Sequence, residues 1–107
     1  MATISDIFID QGTDYSSIIT IAGVDLTNYT IESQIRKGYG STTATSFTAT
    51  IPPATAADGK IKLELSAATS SGMKAGRYVY DVELTAPSGA KSRPLKGLVI
   101  LDPEVTR

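Results

Sequence analysis

The stretch "AGRYVYDVEL", Ala75 to Leu84, decides how this chain is read. Tyr78, Tyr80, Val82 and Leu84 fall on one parity, and Arg77, Asp81 and Glu83 fall on the other. Successive side chains of a β-strand point to opposite faces, so this order describes a strand with one apolar and one charged side. The chain has five tyrosines, and two of them stand here two residues apart. They are either a stacking platform for a ligand or internal scaffolding.

The same alternation recurs on both sides of this segment. Downstream, "APSGAK" reads as a hairpin turn through Pro87, Ser88 and Gly89. "LKGLVIL" reads as a final strand, with Pro94 just before it marking a sheet edge or a bulge. Upstream, "SAATSSGMKAG" is the one helical candidate, a single turn from Ala67 to Ser70 capped by Ser66 and stopped by Ser71-Gly72. "KIKLEL" places Ile61, Leu63 and Leu65 inward and Lys60, Lys62 and Glu64 outward. "TSFTATI" alternates Phe47, Ala49 and Ile51 with threonines and ends at Pro52-Pro53. "DLTNYTIESQIRKG" turns Tyr29, Ile31, Ser33 and Ile35 one way, and its end is marked by Gly38 and Gly40. "YSSIITIAG" and "TISDIFID" complete the set at the amino-terminal end. The expected architecture is all-β: a sandwich of about seven antiparallel strands, with a one-turn helix in the crossover before the sixth strand.

At 107 residues the whole chain, 1–107, reads as a single domain with one core. Ten basic and eleven acidic residues leave a net charge of −1, without the clustered positive footprint that nucleic acid or an anionic membrane requires. Neither is expected as a partner. The sequence has no cysteine, so disulfides and thiolate metal sites are excluded. The start "MATISDIFIDQG" lacks a basic lead and reaches Asp6 before any apolar run, so it does not read as a secretory signal. No stretch approaches the ~20 apolar residues of a membrane-spanning helix. The chain is therefore expected to fold in a cytoplasm and to leave it, if at all, inside a larger particle.

Catalysis is not expected either. The absence of histidine and cysteine removes the commonest general base and two families of nucleophilic site. Ser71 and Lys74 lie three apart but read as exposed loop residues. Asp6, Asp10 and Asp14 recur every four residues, which in an extended chain spreads them over ~26 Å, too far for a carboxylate dyad or one calcium ion. Asp81 and Glu83 share a strand face that solvent explains. "KGYG" has no helix after it and makes no phosphate cradle. Catalytic, cofactor and metal residues are therefore expected to be none. Of Tyr29, Tyr39 and Tyr78, Tyr39 sits between glycines in a loop and is the candidate exposed contact. It supports an alternative reading as a carbohydrate- or cell-surface-binding module.

Gly76-Arg77-Tyr78-Val79-Tyr80 resembles the start of the sixth strand in immunoglobulin-like sandwiches. There a tyrosine hydroxyl bonds back to upstream backbone, a small residue stands two before it, and antibody domains place a cysteine two after it. The resemblance implies that Tyr78 makes this corner and that Tyr80 fills the space of the disulfide. The missing cysteine and tryptophan separate the chain from antibody domains. "QGTDYSSIITI", "VDLTNYTIESQIRKG", "AGRYVYDVELTAPSG" and "LDPEVTR" are together similar to small tailed-phage virion proteins, in particular the amino-terminal domain of upper baseplate proteins. This second resemblance covers about half the chain. It implies a non-enzymatic tail or baseplate component that docks onto other virion proteins in many copies, a homo-oligomer being one option. The Thr-rich edge "TATSFTAT" and the terminal strands are the expected contact surfaces.

Overall fold

The computed structural model describes residues 3–21, 23–38, 40 and 44–103. Its strands are β1 (Thr3–Ile4), β2 (Ile7–Asp10), β3 (Tyr15–Thr20), β4 (Thr30–Arg36), β5 (Ala44–Ser46), β6 (Thr48–Thr50), β7 (Lys60–Leu65), β8 (Gly76–Thr85) and β9 (Lys91–Asp102). The larger sheet has the order β1-β9-β8-β4-β5, with β2 also on β9, and the smaller has the order β3-β7-β6. Burial follows the parity seen in the sequence: Tyr80, Val82 and Leu84 are buried on β8, as are Ile61, Leu63 and Leu65 on β7. These inner faces belong to one apolar cluster, which Phe47 joins with its ring 5.9 Å from that of Tyr80 and 6.2 Å from that of Tyr15. Each fully buried large side chain contributes about 1.5–3 kcal/mol.

Two short helices flank β7. Ser66 caps α1 (Ala67–Ser71) by accepting from the Thr69 amide, and the helix runs to Ser71, one residue beyond the expected turn, with Gly72 as its C-cap. Buried Ser70 accepts from the Gly12 amide through its hydroxyl at 2.9 Å, which ties α1 to the turn after β2. A 3-10 helix begins at the second proline and runs over Pro53–Asp58, where only strand termination is expected. It ends at Gly59, whose φ is +76° and whose added Cβ would stand 2.3 Å from the Ile21 carbonyl oxygen.

Three sequence expectations need correction. The larger sheet is mixed rather than antiparallel: β1 and β2 run parallel to β9, with Ile4 opposite Lys96 and Ile7 opposite Val99. Alternation tells which face a residue takes but not which neighbour a strand finds or in which direction it runs. Next, "TSFTATI" is not one strand. It breaks at Phe47, so that β5 pairs with β4 in the larger sheet and β6 with β7 in the smaller. Last, the final strand begins at Lys91 and takes Pro94 into its interior. Leu84 pairs with Ser92 but Val82 with Leu95, so β9 carries one extra residue there, and this bulge accommodates the missing N–H of Pro94.

Candidate interaction surface

Tyr78 and Tyr80 both leave β8 toward the interior but do different things. The Tyr78 hydroxyl donates to the carbonyl of Lys74 at 2.5 Å, four residues upstream in the segment between α1 and β8. The Lys37 ammonium stands 4.8 Å from the centre of the Tyr78 ring. Gly76, two residues earlier, has φ +141°, a region open to glycine and little else.

Tyr80 reaches further. Its hydroxyl donates to the carbonyl of Ser5 at 2.6 Å, between β1 and β2. Gly97 lies directly across from Tyr80 on β9, and a Cβ there would stand 2.2 Å from the same Ser5 oxygen. The Ser5 amide donates to the Lys96 carbonyl, and an Asp6 carboxylate oxygen accepts from the Leu98 amide at 3.1 Å. At this point the amino-terminal strand dips onto β9 over a glycine, and the tyrosine holds the dip. Burial raises the Tyr80 phenol to about 12, opposed in part by the hydrogen bond to Ser5 and aided by smaller pushes from Tyr15 and Asp6.

Outside this anchor, the larger sheet shows solvent a face of two halves. One half is apolar. Phe8 is 67 % exposed and paired with Ile100, Ile4 is 71 % exposed, and Leu98 is paired with Val79. Cations stand beside it: Arg77 is the cross-strand partner of Ile100, and Lys96 that of Ile4. Among the described residues, neither Arg77 nor Lys96 forms an ion pair, although Asp81 lies across from Lys96 on β8. The other half is charged and internally paired, with Arg93 3.4 Å from Asp81 and 3.1 Å from Glu83, and Lys91 3.7 Å from Glu83. A shallow depression there is lined by Glu32, Gln34, Arg36, Asp81 and Arg93 among others.

The remaining sequence candidates are dispersed. Ser71 and Lys74 are exposed near α1. Asp6 holds the Leu98 amide and Asp14 accepts from the Ala67 amide at 2.7 Å, so both serve the backbone. Among the described residues, no group of three acidic side chains could hold a metal ion. Tyr39 lies outside the described residues, as does the end of "LDPEVTR". Sequence reasoning named the terminal strands as contact surfaces through their edges but missed this apolar face, because its members come from strands whose parallel pairing it did not foresee. The signal was there in part: "FID" and "LVIL" both carry apolar residues on each parity.

No family model and no curated protein matches the chain. Among solved structures it is similar to the Listeria monocytogenes internalin-like protein lmo2027, with 14 % identity and a TM-score of 0.49. That likeness covers 96 % of this chain, which spans 28 % of the other.

Proposed function

We propose that the chain is a non-enzymatic structural component of a bacteriophage tail or baseplate, docking through the outer face of its larger sheet. The carrying observation is the apolar row of Ile4, Phe8, Leu98 and Ile100, bordered by Arg77 and Lys96. A contiguous exposed apolar patch with a polar rim is how contact surfaces are built. Arg77 and Lys96 favour a partner with an apolar centre that brings acidic groups to this border, and Asp10 with Asp102 closes the far end of the row. The charged half of the face offers the ion pairs of Arg93 and Lys91 with Asp81 and Glu83.

The fold reading behind this proposal is an immunoglobulin-like sandwich. It counts β1 with β2, and β5 with β6, as single interrupted strands, giving seven. The hydrogen bond from Tyr78 to the Lys74 carbonyl after a one-turn helix supports it, because it has the form of a tyrosine corner. Placement in a virion rests on the sequence resemblance described above. Mass spectrometry of purified particles of the encoding phage tests it. The chain should be found there in many copies, and its absence would sink the reading.

A further inference from the structure

The smaller sheet ends in an edge that is unusually open. Natural edge strands are blunted by shortness, charge, proline or bulges, because unpaired backbone invites pairing. The other edges here follow that rule. β5 and β6 have three residues each, and the β1–β2 edge is interrupted at Ser5 and Asp6. β3 follows none of it: "YSSIIT" is six residues long, keeps one register with β7 throughout, and contains neither charge nor proline.

Which backbone groups face outward follows from one hydrogen bond. The Ile21 amide donates to the Gly59 carbonyl at 2.7 Å, in the same register that pairs Ile19 with Ile61 and Ser17 with Leu63. In an antiparallel ladder hydrogen-bonded pairs recur every second residue. Tyr15, Ser17 and Ile19 therefore bond to β7, and Ser16, Ile18 and Thr20 turn their N–H and C=O groups away from it. Among the described residues nothing pairs with those groups. The Ile18 side chain is 61 % exposed on the outer face of the same strand.

We infer that β3 pairs antiparallel with β3 of a second copy of this chain, about a two-fold axis at Ile18. The three outward residues are symmetric about Ile18. Centring there opposes Ile18 to Ile18 and Ser16 to Thr20 of the partner copy, and forms about six backbone hydrogen bonds. Moving the axis to Ser17 keeps only about four. The pairing covers the exposed Ile18 with its own copy, a cross-strand contact of the kind that stabilises sheets. Charge agrees as well. On β7, Lys60 lies beside Thr20 and Glu64 beside Ser16, so the two rows flanking the axis each have a cation at one end and an anion at the other, while the central row has Lys62 at both ends, each 3.8 Å from its own Glu64. This contact uses a different sheet from the docking face and does not depend on it.

The chain has no cysteine, so single introduced thiols report the register directly. At the axis the two Cα atoms would stand about 5.5 Å apart, inside the roughly 4.4–6.8 Å that a disulfide spans. Thr20 would be about 13 Å along the strand from Thr20 of the partner copy. On mild oxidation Ile18→Cys should form a covalent dimer. Ser16→Cys and Thr20→Cys should each stay monomeric alone and cross-link when mixed. In sedimentation the wild type should rise from 11.2 kDa toward twice that mass between micromolar and millimolar concentration. Ile18→Lys should remain monomeric, with an unchanged circular-dichroism spectrum showing that it is folded. A wild type that stays monomeric at millimolar concentration overturns the inference, as does Thr20→Cys cross-linking alone as readily as Ile18→Cys.

Discussion

The Tyr80 hydroxyl and the Ser5 carbonyl are 2.6 Å apart in space and 75 residues apart in sequence. That bond carries the order of the last two strands into the first. Gly97 completes the arrangement by leaving room on β9 for Ser5 to approach. The face on which Phe8 and Ile4 stand exists because this dip keeps β1 and β2 in one register with β9.

Replacing Tyr80 by Phe keeps the ring against Phe47 and removes only the donor. The half-buried Ser5 carbonyl left without its partner should cost about 1–2 kcal/mol, within the range for an unsatisfied group. The urea midpoint should fall accordingly, and hydrogen exchange at the Ser5 and Leu98 amides should accelerate more than exchange on β7. Equal exchange at both places would show that the bond does not hold the first strand.

The same tyrosine gives the protein an alkaline limit. Its phenol titrates near 10 when unfolded and is raised to about 12 in the fold, so the folded state holds the proton more tightly. This contribution is fully present below pH 10 and is lost as the pH rises from 10 through 12, by about 2 kcal/mol in all. Lysines titrate in the same range, so the measurement is the difference between wild type and Tyr80→Phe in urea midpoint across that window. The gap should narrow toward pH 12, and a constant gap would contradict the assignment.

Gly97→Ala should be strongly destabilising. The new carbon would meet a backbone oxygen at 2.2 Å, and backbone cannot rotate away as a side-chain end can. Overpacking of this kind costs about 1–3 kcal/mol. Gly38→Ala is the matched control, since nothing lies within 4 Å of its added carbon. Similar melting temperatures for the two variants would place Ser5 elsewhere.

Tyr78→Phe tests the corner. Loss of the bond to Lys74 should lower stability by about 0.5–1.5 kcal/mol, less than the Tyr80 change because this hydroxyl lies nearer solvent. An unchanged midpoint in urea argues against a structural role for that hydroxyl.

The two tyrosines also show how far the sequence could be read. Parity alone put Tyr80, Val82 and Leu84 inside, and Ser66 with Ser71-Gly72 marked the short helix, because both signals are local. The partner of Tyr80 was not legible: Ser5 is an ordinary residue whose place depends on a parallel pairing across the whole chain. Pro94 showed the limit of a local rule. Its missing N–H signalled an irregularity, but only the register between β8 and β9 shows that the strand continues through it as a bulge. The split at Phe47 was hidden for a similar reason, since alternation continues unbroken while the hydrogen-bonding partner changes from β4 to β7.

The docking claim is tested most directly by incorporation into particles. Tagged wild type and Phe8→Asp would be supplied in trans during infection and quantified in purified virions. Phe8 is 67 % exposed, so the substitution should leave the melting temperature within about 1 °C while placing an anion in the middle of the apolar row. Wild type should enter the particles and Phe8→Asp should be depleted at least tenfold. Equal incorporation of the two proteins, or the absence of both, would contradict the docking claim.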